Sequence, residues 1–274
     1  MDTGRAVQSF WFHRLLCRVF CDSRSGFVLK GGRAMLARTM DARATRDVDL
    51  LAEGTSIDEA VERLKVAASL DLGDHVHFVF EKVRPIKARD EYRTGANVTF
   101  VPWLGSKRLQ PISIDLVVDD VPLERAERMV PADRLEIRGV ETFEYLVYPA
   151  EAALSDKVCA ILERHDGRPS SRVKDLVDIV VYATSVDING LDFQNRLRRE
   201  SGARGLELPD QFDVPREWRG TYETSYSKLV AQTGLSERYS KMESAVVFSA
   251  LVVNPVLQGA ASDLTWSHEA LEWR

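Results

Sequence analysis

The sequence predicts an α/β (α+β) fold: a mixed sheet with flanking helices, then a helical C-terminal part. Three observations carry this. Residues 112–118 alternate, with Ile112, Ile114, Leu116 and Val118 on one face and Ser113, Asp115 and Val117 on the other, the period of a strand buried on one side. Short strand-like runs alternate with helix-like runs as far as Val118. From Pro149 onward the apolar residues recur at helical spacing.

Taken in order, residues 7–22 read as a helix with Phe10, Leu15, Leu16 and Val19 as core positions, broken by Ser23 to Gly26. Phe27-Val28-Leu29 is a short strand that runs into Gly31-Gly32, and Ala34 to Met40 is rich in good helix formers. Asp47 to Leu51 is the next strand, ended by Gly54. Ser56-Ile57-Asp58-Glu59 is a capping box, in which the serine hydroxyl satisfies a free N–H of the first turn, and it opens a helix to about Leu70. Strands follow over Val76 to Glu81 and Asn97 to Val101, with the charged stretch Lys82 to Thr94 as a loop or hairpin end, and then over Pro111 to Val118. Helices are expected over Glu151–Arg164, Arg172–Ala183, Leu191–Ser201, Tyr222–Thr233 and Glu237–Val253, the last stopped by Asn254-Pro255. The change in pattern falls between Val121 and Pro149 and divides the chain into 1–148 and 149–274.

Composition narrows the function classes. The chain has 274 residues, 45% of them hydrophobic and 29% charged, which suits a globular protein and excludes disorder. Its 37 basic and 42 acidic residues give a net charge of −5, so nucleic acid can be met only through a local patch. Cys17, Cys21 and Cys159 have no disulfide-framework spacing, and the longest apolar run, Ala245 to Val253, is too short to span a bilayer. The apolar stretch Phe10 to Phe20 carries His13, Arg14 and Arg18, so it makes no secretory signal. These features point to the cytoplasm.

The segment richest in chemistry is Leu29-Lys30-Gly31-Gly32, fourteen residues, then Asp47-Val48-Asp49-Leu50. A strand entering a double-glycine turn lets backbone approach a ligand, and a helix opening behind it aims N–H groups at an anion such as a triphosphate. Asp47 and Asp49 project from the same strand face, where two ionised carboxylates repel unless solvated or bridged by a divalent cation. Asp115 interrupts an apolar strand and could complete a three-carboxylate site for Mg²⁺. Each motif alone also fits a plain structural role: Asp-x-Asp at an exposed strand end, Gly-Gly in a turn, Asp115 capping a helix or paired with an arginine.

Two further groups stand later in the chain. Lys157 lies three residues after Leu154 and four before Ile161, at the margin of a helical apolar stripe, where an ammonium can reach a triphosphate. Asp175 and Asp178 share one face of the next helix; Lys174 and Asp178 have the spacing of an ordinary surface pair. Arg164, Arg168, Arg172 and Lys174 form a basic cluster, and Arg196, Arg198, Arg199 and Arg204 another; solvation explains both, and an RNA acceptor would make them phosphate contacts. His13, Cys17 and Cys21 repeat along the first helix but lack a fourth zinc ligand, so they read as a packing face. His75 and His77 alternate on a strand without a partner motif, and no complete P-loop or nucleophilic triad is present. Trp218, Tyr222 and Tyr226 read as core.

Lys30-Gly31-Gly32 followed by Arg43-Ala44-Thr45-Arg46-Asp47-Val48-Asp49 resembles the first motif of the polymerase-β nucleotidyltransferase superfamily, and more narrowly the AbiEii/AbiGii toxin family with its MenT-type members. Lys157, then Lys174-Asp175-Leu176-Val177-Asp178, is similar to that family's later lysine and Asp-x-x-Asp motif. The chain departs from the pattern at Gly32, where the superfamily often has serine, and at Arg33, where the family often has a small or hydroxylated residue. The resemblance covers roughly residues 27–182. It implies a polymerase-β-like N-terminal domain and Mg²⁺-dependent transfer of a nucleoside monophosphate from an NTP to an acceptor. Asp47, Asp49 and Asp115 would hold the metal, Asp115 serving as ligand or general base. Gly31, Gly32, Arg33 and Lys157 would hold the nucleotide, and Asp175 or Asp178, with a leaning to Asp178, would orient the lysine or the nucleophile. It further implies the toxin of a toxin–antitoxin or phage-defence pair with a separate antitoxin protein, and an RNA acceptor such as the tRNA 3′ end. The alternatives are an enzyme of the same superfamily acting on a small-molecule or protein hydroxyl, and a non-catalytic binding protein of the same fold.

Overall fold

Helix α1 (Thr3–Phe20) leads into β1 (Phe27–Lys30), α2 (Gly31–Arg38), β2 (Val48–Ala52) and α3 (Ile57–Ala68). A long hairpin of β3 (Val76–Ile86) and β4 (Arg93–Leu104) follows, then β5 (Lys107–Arg108), β6 (Ile112–Asp119), β7 (Glu127–Met129) and β8 (Tyr145–Val147). This is a computed structural model that describes residues 3–22, 24–43, 45, 47–86, 93–119 and 126–274. The expectations that fall on Ser23, Ala44, Arg46, Val121 and residues 87–92 lie outside the described residues.

The strands make one mixed sheet in the order β3-β4-β6-β2-β1-β8-β7, with β5 beside β4. β2 and β6 run parallel, and both β1 and β4 are antiparallel to their neighbours in that central pair. The alternation read along β6 holds: Ile112, Ile114 and Leu116 are buried while Ser113, Asp115 and Val117 are half-exposed. The buried face packs Leu50, Val98 and Phe100 against Phe12, Leu15 and Leu16 of α1 and Leu64 of α3. Ser56 caps α3, its hydroxyl accepting from the Glu59 N–H at 3.3 Å. The charged stretch after Glu81 is not a loop at its start. β3 stays paired to Ile86, opposite Gly95, because antiparallel partners satisfy the backbone whatever the side-chain polarity.

Helix α1 buries two arginines. Arg14 and Arg18 both bond Asp74, at 2.6 and 2.7 Å, and Arg18 also donates to the Val76 carbonyl. Burial works against the Asp74 carboxylate, but hydrogen bonds from Arg18 and Arg14 outweigh it and lower its pKa to about 2. His13 and Cys17 face Tyr145, with His13 Nδ1 2.9 Å from the tyrosine oxygen, and Cys21 bonds the Arg18 carbonyl, so this stripe is packing.

Beyond Tyr148 the chain is mainly helical: α4 (Ala150–Leu162), the short pair β9 (Arg164–His165) and β10 (Arg168–Pro169), α5 (Val173–Ser185), β11 (Ile188–Asn189), α6 (Gly190–Ala203), α7 (Glu223–Val230), α8 (Met242–Leu257), β12 (Thr265–Ser267) and β13 (Glu272–Trp273). α8 does not stop at Asn254-Pro255. Pro255 lacks the N–H that would bond the Leu251 carbonyl, and the Trp273 indole N–H donates to that carbonyl instead, at 3.3 Å. Trp218 and Tyr226 are fully buried, as core. The chain divides into two compact units, Met1–Ala37 with Thr45–Tyr148, and Arg38–Ala44 with Pro149–Arg274. Residues 38–44, N-terminal in sequence, thus group with the helical unit.

Candidate active site

In the first unit the register sets four polar residues side by side across the sheet. Asp49 is opposite Asp115 in the parallel β2–β6 pair. Asp115 is opposite Asn97 on β4, and Asp49 is opposite Lys30 on β1. The row Asn97–Asp115–Asp49–Lys30 lies on the face away from the apolar core, since the residues flanking each member, such as Leu29, Val48, Leu50, Val98, Ile114 and Leu116, are buried there. Neighbouring strands stand about 4.8 Å apart, so the two carboxylates are adjacent. The Asn97 amide donates to Asp115 Oδ1 at 2.7 Å, leaving Oδ2 for other chemistry. The Lys30 ammonium rests 4.1 Å from the centre of the Tyr148 ring. Asp47 precedes β2 and is exposed, its N–H 3.5 Å from the Thr45 hydroxyl.

The double glycine has a structural cause. Gly31 has φ +65°, and a Cβ there would stand 1.9 Å from Asp49 Oδ2. A Cβ on Gly32 would meet Thr45 at 3.0 Å. The turn therefore makes room for the Asp49 carboxylate beside the start of α2, where free N–H groups favour an anion. Among the described residues no group of three or more His, Cys, Asp or Glu side chains is gathered to hold a metal. Within the row the carboxylates of Asp49 and Asp115 are neighbours, with Asp47 two residues upstream, and carboxylate oxygens of this kind suit a hard divalent cation.

In the second unit Asp175 and Asp178 are each 1% exposed, on the inner side of α5 rather than on a solvated surface. Lys157 of α4 donates to Asp178 Oδ2 at 2.6 Å and to Asp175 Oδ1 at 3.3 Å. Arg43 grips Asp178 through both Nε, at 3.0 Å, and a terminal nitrogen, at 3.2 Å; Arg172 Nε donates to Asp175 at 2.5 Å. Burial would lower the Lys157 pKa, but the Asp178 and Asp175 charges prevail and hold it well above the usual lysine value. Burial likewise opposes the Asp175 carboxylate, and Lys157 and Arg172 overcome it, keeping Asp175 below its ordinary pKa. Lys157 is therefore a charged, oriented ammonium. Arg43 is the member whose role sequence reading missed: it stands in the motif, but only the fold brings it to Asp178.

Several expected residues go elsewhere. Arg33 is 5% exposed, stacked 4.5 Å from the Phe12 ring, and donates to Ser9 at 3.0 Å and Asp133 at 3.4 Å, which commits its guanidinium to the interior of the first unit. Arg172 belongs to the lysine network, and Arg164 meets Glu217 at 3.1 Å in an exposed pair. Arg168 and Lys174 are exposed. In the other basic cluster Arg196 is buried and the Arg204 side chain is 5% exposed; Arg204 bonds Glu200, Glu163 and Asp156, so this cluster is in part an internal ion network.

Residues 14–244 match the family described as Nucleotidyl transferase AbiEii toxin, Type IV TA system. No curated protein matches the chain. Solved structures share the fold, among them these two. One is a putative nucleotidyltransferase from H. pylori, with TM-score 0.51 and 17% identity, covering 94% of this chain and 98% of that one. The other is JHP933 from Helicobacter pylori, with TM-score 0.50 and 15% identity, covering 96% and 97%.

Proposed function

Because the chain belongs to the nucleotidyl transferase AbiEii toxin family of type IV toxin–antitoxin systems, we propose that this nucleotidyltransferase moves a nucleoside monophosphate from an NTP to a hydroxyl of RNA, the tRNA 3′ end being the favoured acceptor, with Mg²⁺ as the divalent cation. The family brings with it a nucleotide substrate and a cognate antitoxin; a MenT-like mode of action and a part in phage defence belong to the same proposal. The observation that carries the chemistry is the Asn97–Asp115–Asp49–Lys30 row with Asp47 beside it.

The reaction joins the acceptor oxygen to the α-phosphorus and breaks the bond from that phosphorus to the bridging oxygen, releasing pyrophosphate with the bonding electrons. The hydroxyl proton needs a base. Asp115 is suited to that step or to metal binding, since the Asn97 amide occupies one carboxylate oxygen and steers the other. Asp49 and Asp47 would join Asp115 as cation ligands. A bound Mg²⁺ supplies positive charge to the attacking and leaving oxygens. Lys157 is assigned to the triphosphate, where a fixed ammonium stabilises charge growing on the leaving pyrophosphate. Asp175 and Asp178 orient that ammonium, and Gly31 and Gly32 admit the phosphates close to backbone. Arg168 and Lys174, both exposed, are assigned to RNA phosphates.

The test is incubation with each α-labelled NTP, Mg²⁺ and total RNA, resolved on a gel. Label in a discrete RNA band supports the reading. Label in protein or in a small molecule moves the acceptor to another hydroxyl, and no label with any acceptor overturns transfer.

A further inference from the structure

A chain of net charge −5 must meet RNA through a local patch. Strands β3, β4 and β5 carry Lys82, Arg84, Lys107 and Arg108, and among their described residues Glu81 is the single carboxylate. Within this patch His77 and Trp103 are opposite each other in the β3–β4 pair, and Arg108 is opposite Trp103 on β5. The two rings lie within 10° of parallel, centroids 6.0 Å apart. His77 is exposed and Trp103 half-buried, and β3 is the outermost strand on this side of the sheet. Arg108 reaches Glu81 at 3.3 Å, but its side chain is 54% exposed, and such a solvated pair yields readily to a phosphate.

The apolar core does not explain this stack. Along β4, Val98 and Phe100 face the core, whereas Asn97, Thr99, Val101 and Trp103 alternate onto the other side; Thr99 and Val101 are buried there, and Asn97 and Trp103 at the two ends are half-exposed. That is the face holding Asp115 and Asp49. Trp103 lies six residues beyond Asn97, roughly 20 Å along the strand, toward the end at which Asp47 enters β2. A stacked nucleic-acid strand rises ~3.4 Å per nucleotide, so about six nucleotides bridge that distance.

We propose that His77 and Trp103, with Arg108 beside them, form a stacking platform for the single-stranded 3′-terminal segment of the acceptor, whose final hydroxyl lies at the aspartate row. The proposal rests on RNA being the acceptor. Aromatic rings next to cations suit this partner: bases of any identity stack on the rings while the cations track the backbone. A platform at this distance selects for the length of the unpaired end, not for its sequence.

The experiment measures anisotropy of fluorescein-labelled oligoribonucleotides of about three and about eight nucleotides, one too short to span the interval and one long enough. Label transfer to the same RNAs is followed in parallel. Trp103→Leu is expected to weaken binding of the longer RNA about tenfold, as loss of one stacked base implies, and to raise its KM similarly. Trp103→Phe should recover most of the loss, and KM for NTP and for the shorter RNA should stay at the wild-type value. A general folding defect would lower all of these together and would not respond to phenylalanine. Where Trp103→Leu does not fold, His77→Ala with Arg108→Gln gives the same comparison. Wild-type affinity of these variants for the longer RNA, with wild-type enzyme still labelling RNA, overturns the platform and leaves the acceptor reading standing. Transfer by wild type to protein or small molecules but not to RNA overturns both.

Discussion

Asp49 and Asp115 are half-buried neighbours on a sheet face, held there by backbone register and by a glycine turn shaped around one of them. Asp175 and Asp178 are sealed in a helical unit, and Lys157, Arg43 and Arg172 satisfy them. Both pairs bring like charges together, and they resolve the repulsion differently. The helical unit supplies its own cations, so its carboxylates act on Lys157 by fixing its place and its charge. The sheet offers its carboxylates an amide at one end of the row and a lysine at the other, an arrangement that suits a cation arriving with substrate. On the proposed function, one pair would hold the triphosphate lysine in position and the other would receive the cation that comes with substrate.

The largest effect that would break this comparison is on stability. Lys157→Ala leaves two buried carboxylates short of a cation and should cost ~3–5 kcal/mol in urea unfolding. A cost below ~0.5 kcal/mol would mean a solvated lysine and would undo the contrast. Asp49→Asn should do the reverse. Transfer should fall by about 10²–10³, comparable to loss of a key electrostatic group, while the melting temperature holds or rises slightly as carboxylate repulsion is relieved.

A third test uses the other buried charge cluster, Arg14–Asp74–Arg18, which shows that the sheet unit also neutralises acids where they are buried. The Asp74 pKa is lowered from 3.8 to about 2, so its stabilisation is complete above pH ~4 and is lost as pH falls toward ~2. The contribution is about 2 kcal/mol, and acid unfolding of Asp74→Asn should lack that dependence between those limits. The smallest effect is expected at Asn97. Asn97→Ala frees Asp115 Oδ1 on a half-exposed face, where water partly replaces the amide, and should slow transfer roughly fivefold, equivalent to ~1 kcal/mol, with little change in KM for NTP.

How much of this was legible follows from which interactions are local. The β6 alternation, the Ser56 cap and the glycine turn are written within a few residues, and the fold reproduces them. Asn97 was invisible as a partner because its bond to Asp115 depends on strand register, a tertiary quantity. Arg43 and Asp178 are 135 positions apart, and no spacing rule joins them. Helix α5 is buried on nearly every side, so the amphipathic reading that set its aspartates toward solvent had no solvated face to find. Arg33 shows the converse: a charge next to the glycine turn, yet turned inward onto Phe12 and Asp133. The end of α8 depended on Trp273, far along the chain from the proline it compensates.

The most direct measurement is single-turnover transfer from α-labelled NTP to RNA, with Mg²⁺ titrated, for wild type and Asp49→Asn proteins of matched circular dichroism. The account predicts labelled RNA that rises with Mg²⁺ in wild type, and a rate for the variant lower by about 10²–10³ that added Mg²⁺ does not restore. An Asp49→Asn protein transferring label at the wild-type rate would contradict it.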